Sequence, residues 1–157
     1  IEVLGGFKIP TLNEDLNLIE GKIILNIELK GSHTAISTNQ LLITYFKEKK
    51  IHPTKILISS FDWNELEIFY NLNKEVPLAV LTSDDPINAI PFAKKIKAIA
   101  INVDYELLNF SNVKKIHSEN LKIYAWTVNK KNEIKELIDL GVDGIISDFP
   151  DRIQFFK

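Results

Sequence analysis

The stretch Ile23-Ile24-Leu25-Asn26-Ile27-Glu28-Leu29-Lys30 carries the most information about the fold. Its isoleucines and leucines predict a buried strand, whose side chains alternate between two faces. Asn26, Glu28 and Lys30 therefore share one face, and the apolar residues between them share the other. A parallel strand buried on both faces is apolar throughout, so three polar residues in register need a reason. An internal salt bridge or a wet barrel mouth is one explanation, and a functional site at the C-terminal end of the strand is the other.

This stretch contains the first of six short apolar runs, each of which is followed by a helix-like segment. The runs cover residues 23–29, 56–60, 78–81, 98–102, 123–128 and 144–147. Their alternation with helices predicts an α/β protein whose parallel strands are joined by helical crossovers. An open doubly wound sheet and a (β/α)8 barrel both fit this pattern, although six units fall short of a full barrel. The absence of a G-x-G-x-x-G turn weakens the open sheet of the dinucleotide-binding type.

Helix start and stop signals lie between the runs. Four residues are candidate N-caps: Thr11, Asp62, Ser111 and Asn129. A glutamate follows Thr11 and Asp62 three residues later, which is capping-box spacing. Gly141 is placed to end the helix that Asn129 would begin. No linker-like or low-complexity segment interrupts the pattern, so we expect residues 1–157 to form one domain.

Composition excludes several classes of function. The 19 basic and 21 acidic residues give a net charge of −2, so no broad basic field is available for nucleic acid or an anionic membrane. The chain has no cysteine, which excludes disulfides and thiol chemistry. No apolar run approaches the length of a membrane helix. We expect a cytoplasmic protein without a membrane-spanning segment.

The chain begins at Ile1 and contains no methionine. We therefore expect it to be a fragment, a processed product or an incompletely described piece of a longer chain, and not the direct product of its own start codon.

Candidate chemistry gathers at the predicted strand ends. The Glu28 carboxylate suits a hard cation, and the Lys30 ammonium can neutralise an oxyanion such as phosphate. Phe61 and Trp126 follow or close other strands, although large aromatic residues are more often part of a core. Among the three histidines, His33 is a candidate for substrate contact because it follows Lys30. We expect the other two, His52 and His117, to be solvated or structural.

Five segments together resemble the glycerophosphodiester phosphodiesterases. They are Ile9-Pro10-Thr11-Leu12-Asn13-Glu14, Asn26-Ile27-Glu28-Leu29-Lys30, Ser59-Ser60-Phe61-Asp62, Trp126-Thr127-Val128-Asn129 and Gly141-Val142-Asp143-Gly144-Ile145-Ile146-Ser147-Asp148-Phe149-Pro150-Asp151. The resemblance implies a (β/α)8 TIM barrel, present here as about six of eight β/α units. It also implies hydrolysis of small-molecule glycerophosphodiesters to sn-glycerol 3-phosphate and an alcohol, with a divalent cation, Mg²⁺ or Ca²⁺, as cofactor.

Individual roles follow from the same resemblance. Glu28 corresponds to a metal ligand, and Lys30 corresponds to the lysine beside the phosphate. Phe61 and Trp126 correspond to aromatic residues at the rim of the pocket. Hydrolysis by acid–base catalysis and attack by the substrate's own glycerol hydroxyl through a cyclic phosphate are both compatible with these residues.

The chain departs from the family at its start. The family's His-Arg-Gly, Glu-x-Asp and His-Asp motifs belong upstream of Ile9, and residues 1–8 contain none of them. We therefore assign no catalytic residue in this chain, and we expect 1–157 to be a partial domain that lacks its N-terminal strands and a hairpin. Alone it should be inactive and poorly stable, and a missing N-terminal segment or a companion fragment would restore it. A non-catalytic barrel that binds phosphodiesters or a protein partner is the alternative, and another barrel enzyme acting on phosphate esters is a third reading.

Overall fold

The computed structural model describes residues 2–3 and 6–156, which form eight β-strands and six α-helices. The strands are β1 (Glu2–Val3), β2 (Phe7–Lys8), β3 (Leu25–Glu28), β4 (Ile56–Ser60), β5 (Leu78–Thr82), β6 (Ala100–Asp104), β7 (Lys122–Trp126) and β8 (Gly144–Ile145). The α-helices are α1 (Leu12–Ile19), α2 (Thr34–Lys49), α3 (Trp63–Leu72), α4 (Ile90–Lys95), α5 (Phe110–Ser118) and α6 (Lys131–Leu140). Short 3-10 helices cover Pro53–Lys55, Pro86–Ala89, Tyr105–Leu107 and Pro150–Phe156.

Strands β3 to β8 form one parallel sheet in which every strand pairs with its neighbour in sequence. This confirms the six predicted strand–helix units. The strand order is consecutive and does not reverse, whereas the order in a doubly wound sheet reverses at a switch point. The sheet is therefore curled as part of a barrel. Strand β3 begins two residues later than predicted, and the two preceding residues, Ile23 and Ile24, are 61% and 64% exposed instead of buried. The antiparallel pair β1–β2 before α1 was not predicted at that place in the chain.

The two faces of the sheet differ in character. One face packs on the helices through apolar residues such as Ile58, Val80 and Ile101, all fully buried. The register places Glu28 beside Ser59 and places Asn102 between Leu81 and Tyr124 on the opposite, interior face. Toward the N-terminal ends of the strands, this interior face carries a small apolar cluster of Leu57, Ala79 and Ala100, packed against Tyr124. Polar side chains therefore occur on the interior face mainly toward the C-terminal ends of the strands.

Two of the four predicted N-caps are confirmed. The Thr11 hydroxyl accepts from the backbone N–H of Glu14 in a complete capping box, and Asp62 accepts from the N–H groups of Asn64 and Glu65. The predicted stop at Gly141 is confirmed as well, with φ of 97° at the end of α6.

The other two cap predictions are wrong. Asn109, not Ser111, caps α5, because its side-chain Oδ1 atom accepts from the N–H groups of Ser111 and Asn112. Lys130, not Asn129, is the N-cap of α6. The Asn129 side chain instead donates to the Asp148 carboxylate at 2.8 Å and accepts from the Asp148 backbone N–H at 3.0 Å.

Glu65 belongs to α3 but caps the start of α2. Its spacing from Asp62 predicts a reciprocal capping-box bond, but its carboxylate accepts from the backbone N–H groups of His33 and Ala35 at 2.7 and 2.8 Å. The N-cap residue of α2, His33, makes no side-chain cap bond. A buried glutamate of α3 thus satisfies the first N–H groups of α2 and ties the two helices together.

A pair of salt bridges centred on Glu119 joins α4 and α5. Glu119 accepts from Lys94 and Lys115 at 2.5 and 2.6 Å, and these hydrogen bonds, that of Lys115 foremost, lower the pKa of Glu119 to about 2. A lowered pKa means that the folded state favours the ionised carboxylate. The salt bridges therefore stabilise the fold above the ordinary pKa of 4.5, and this contribution is lost as the pH falls toward 2.

We predict that Glu119→Gln makes the melting temperature less dependent on pH between 4.5 and 2. The change will be modest, because exposed ion pairs are screened by water and salt. Thermal unfolding followed by circular dichroism across this range is the measurement, with the exposed Glu48→Gln on α2 as control. Identical pH profiles for Glu119→Gln and the unmodified chain would contradict the prediction.

No helix formed by residues 2–3 and 6–156 has both the length and the apolar character needed to cross a bilayer. The cytoplasmic location stays a prediction.

Candidate active site

A cleft of about 280 Å³ opens at the C-terminal ends of the parallel strands. Each strand from β3 to β8, or a residue just after it, contributes to the lining. The four residues predicted for the site all line it, namely Glu28, Lys30, Phe61 and Trp126. Three of them, Glu28, Lys30 and Phe61, also border an adjoining cavity of about 530 Å³. The tertiary structure therefore brings together residues that lie up to 98 positions apart in the sequence.

A larger cavity of about 580 Å³ lies between Pro86 and Lys115. Its polar lining is already engaged, since Asp85 accepts from the Ile87 N–H and Asn109 caps α5. The cleft at the strand ends is the better candidate, because its charged and polar groups are less committed to the fold.

Glu28 and Lys30 form an ion pair at the mouth of the cleft. The Lys30 Nζ atom lies 3.4 Å from Glu28 Oε2, and the two side chains are 77% and 30% exposed. Two hydrogen bonds hold the backbone between them: the Leu29 N–H donates to the Ser59 carbonyl, and the Ser60 hydroxyl donates to the Leu29 carbonyl. A salt bridge, one of the alternatives raised by the sequence, thus exists, but it is not internal, and an exposed pair contributes little stability. A largely exposed ammonium remains available to an anion.

Phe61 and Trp126 form the aromatic part of the lining. Their rings meet edge to face, with centroids 5.5 Å apart and an interplanar angle of 88°. Phe61 is 47% exposed, and Trp126 is half-buried. The pair stands at the rim of the cleft, so these two residues are not simply core.

Several buried polar atoms on the interior face have no hydrogen-bond partner. Among the described residues these are Ser59 Oγ, both amide atoms of Asn102 and Trp126 Nε1. Asn102 and Trp126 line the cleft directly. The sequence analysis missed Asn102, because it ends a run read as a buried strand. The available signal was a polar residue between Ile101 and Val103 in an otherwise apolar run.

The three histidines all belong to the described part of the chain, and none of them lines the cleft. His33 is the exposed N-cap of α2. The His52 Nδ1 atom lies 2.8 Å from Thr54 Oγ1, and the His117 Nε2 atom lies 2.9 Å from Asp143 Oδ2. These contacts fit the solvated or structural roles expected for His52 and His117. Because His33 does not line the cleft, its position does not support contact with a substrate there.

The described residues do not provide a complete metal site. Residues 2–3 and 6–156 contain no group of three or more histidine, aspartate or glutamate side chains placed to hold a metal ion. Glu28 is one suitable oxygen ligand, whereas Ca²⁺ takes six to eight oxygen ligands and Mg²⁺ takes six. No catalytic step through a metal ion follows from these residues alone.

Residues 3–152 match the glycerophosphoryl diester phosphodiesterase family. The glycerophosphodiester phosphodiesterase of Bacillus altitudinis is 34% identical over 158 residues, covering 96% of this chain and 63% of that protein. A Bacillus subtilis glycerophosphodiester phosphodiesterase is 29% identical over 161 residues, covering 97% of this chain and 55% of that protein. The chain therefore spans less than two thirds of either relative.

The fold has solved counterparts. The structure of an Oleispira antarctica phosphodiesterase in complex with the product sn-glycerol-3-phosphate has a TM-score of 0.80 to this chain. The two are 24% identical, and the match covers 93% of this chain and 60% of the other. This likeness confirms the prediction of a barrel-type α/β fold.

Proposed function

Because the chain belongs to the glycerophosphoryl diester phosphodiesterase family, we propose that the whole protein hydrolyses glycerophosphodiesters to sn-glycerol 3-phosphate and an alcohol. The observation that carries this proposal is one cleft lined by Glu28, Lys30, Phe61 and Trp126. That cleft combines an anion, a cation and an aromatic wall at the end of a parallel sheet where barrel enzymes hold their substrates. The product bound to the Oleispira antarctica phosphodiesterase supports the choice of sn-glycerol 3-phosphate as ligand.

Lys30 is proposed to bind the phosphate. Its ammonium group is largely exposed, so a phosphate oxygen can reach it from solvent. It also lies 3.4 Å from the Glu28 carboxylate. A positive charge placed there stabilises negative charge that grows on the non-bridging oxygens during attack on phosphorus. Phe61 and Trp126 offer a wall for the carbon atoms of the glycerol part.

Glu28 is proposed as one carboxylate ligand of a divalent cation, Mg²⁺ or Ca²⁺. Such a cation would add positive charge against the phosphate oxygens. The described residues supply no cluster of three such side chains, so we propose that further carboxylate ligands come from other parts of the whole protein. We further propose that the acid–base pair also lies outside these residues and that the 157-residue chain alone does not turn over substrate.

The deciding experiment is an assay of glycerophosphocholine hydrolysis by the whole protein and by the 157-residue chain. Both are assayed with Mg²⁺, with Ca²⁺ and with EDTA. We expect EDTA-sensitive hydrolysis by the whole protein and none by the chain alone. Hydrolysis by the chain alone would refute its proposed inactivity, and EDTA-resistant hydrolysis would refute the cation requirement.

We predict that Lys30→Ala weakens binding of sn-glycerol 3-phosphate by about 10-fold, because one charged hydrogen bond to phosphate is lost. Isothermal titration calorimetry on the chain measures this. Lys22→Ala is the matched control, since Lys22 is also exposed and lies 3.3 Å from Glu20, but it precedes β3 whereas Lys30 follows it. Equal losses in the two variants would show that binding depends on overall charge and not on the cleft.

A non-catalytic barrel that binds phosphodiesters is the second candidate. It is favoured by the absence of any histidine lining the cleft and of a complete carboxylate set among the described residues. It predicts that the whole protein binds sn-glycerol 3-phosphate yet gives no turnover with either cation.

A further inference from the structure

Asn102 is a buried polar residue whose hydrogen-bonding capacity is unused. It lies in the middle of β6 with 0% of its surface exposed, and neither its Nδ2 nor its Oδ1 atom has a partner. Buried polar groups are nearly always paired, because an unpaired one loses its bonds to water without replacement. An amide with both ends unpaired therefore needs an explanation.

Other buried asparagines of the described chain are paired. Asn112 donates from Nδ2 to the Leu107 carbonyl at 2.7 Å and accepts at Oδ1 from the Asn109 N–H at 2.9 Å. Asn39 accepts at Oδ1 from the Asn73 amide at 3.0 Å. The contrast with Asn112 is sharpest, since both of its amide atoms are bonded within the protein.

The position of Asn102 places it beside the proposed substrate site. Asn102 lines the same cleft as Lys30 and Trp126. The register places it on the interior face beside Leu81 and Tyr124. Its amide atoms are shielded from bulk water and have no partner within the described protein, so the cleft that Asn102 lines is the place from which a ligand can approach them. Trp126 Nε1, on the neighbouring strand, is a second unpaired donor of the same cleft.

The chemistry of the amide restricts what it can bind. Its nitrogen donates and its oxygen accepts, whereas the phosphate group of an ionised phosphodiester carries no proton and only accepts. Phosphate alone would leave Oδ1 unpaired. A hydroxyl group both donates and accepts, so it can pair with either end of the amide. We infer that Asn102 is a specificity-determining residue that hydrogen-bonds a hydroxyl of the polyol part of the substrate, an inference that rests on the proposed function.

The test compares two probes, sn-glycerol 3-phosphate and inorganic phosphate, by calorimetry on the full chain. For Asn102→Leu, we expect affinity for sn-glycerol 3-phosphate to fall about 10-fold and affinity for inorganic phosphate to change less than about 2-fold. The melting temperature should stay equal or rise, because the substitution removes two unpaired polar atoms. The control, Asn112→Leu, should lower the melting temperature by roughly 4 °C and leave the ratio of the two affinities unchanged.

Each outcome decides the matter. A lower melting temperature in Asn102→Leu with an unchanged affinity ratio would mean that a buried water pairs the amide, and the inference would be overturned while the proposed function stands. A wild-type chain without any preference for sn-glycerol 3-phosphate over phosphate overturns the inference, whereas the proposed function fails only if the whole protein does not hydrolyse glycerophosphocholine. Asn102→Ala, which leaves the space open, is a second variant should leucine prevent folding, and it must show the same loss of preference.

Discussion

Replacing Glu28 with glutamine is expected to lower hydrolysis by the whole protein about 100-fold or more, with a melting temperature within about 2 °C of the original. The substitution keeps the size and shape of the side chain and removes its negative charge. A neutral amide is a weaker ligand for a hard cation than a carboxylate is. Stability should change little, because the pair of Glu28 with Lys30 is exposed enough to be screened.

The measurement is the turnover rate at saturating substrate, recorded against the concentration of Mg²⁺ or Ca²⁺. Glu20→Gln is the control, because Glu20 also pairs with a lysine two positions later, at 3.3 Å, but precedes β3. Wild-type turnover in Glu28→Gln would sink the assignment of Glu28 to the site. A large fall in melting temperature would instead indicate a structural role.

Replacing Glu65 with alanine is expected to lower the free energy of unfolding by about 3 kcal/mol, since hydrogen bonds to charged groups are each worth roughly 1.5–3 kcal/mol. The carboxylate is 4% exposed and accepts from two backbone N–H groups, those of His33 and Ala35. Alanine would leave both N–H groups without their acceptor at the start of α2, where the helix has no side-chain cap of its own. It would also remove the link between α2 and α3.

Urea unfolding followed by circular dichroism measures this loss. The control is Glu67→Ala on the same helix. Glu67 pairs with Lys95 at 2.7 Å, but the side chains are 36% and 60% exposed, so the expected cost is below about 1 kcal/mol. If the two variants lose similar stability, the cap supplied by Glu65 is not a major contributor to folding.

Much of the fold was predictable because it depends on short-range patterns. The apolar runs, the capping box at Thr11, the cap at Asp62 and the stop at Gly141 all involve residues within a few positions of one another. The caps at Ser111 and Asn129 were mispredicted for different reasons. At Ser111 a better acceptor, Asn109, stands two residues earlier, whereas the Asn129 side chain is engaged by Asp148, 19 positions away.

The candidate site was predictable only in part. Glu28, Lys30, Phe61 and Trp126 carry recognisable motifs, and the structure places all four in one cleft. Asn102 belongs to no recognisable motif, and its importance rests on the absence of hydrogen-bond partners for its amide. A lack of hydrogen-bond partners becomes visible only when the neighbouring strands are in place.

The sequence by itself determined that six parallel strands alternate with helices and that charged residues lie at the end of β3, because periodicity and capping are local properties of the chain. Only the tertiary structure decided the consecutive strand order, the capping of α2 by Glu65 and the isolation of the Asn102 amide. Each of these depends on groups brought together from distant parts of the chain: the acceptor for the His33 N–H lies 32 positions away. Local patterns set which elements form, whereas long-range packing sets which polar groups are satisfied and which remain free for a ligand.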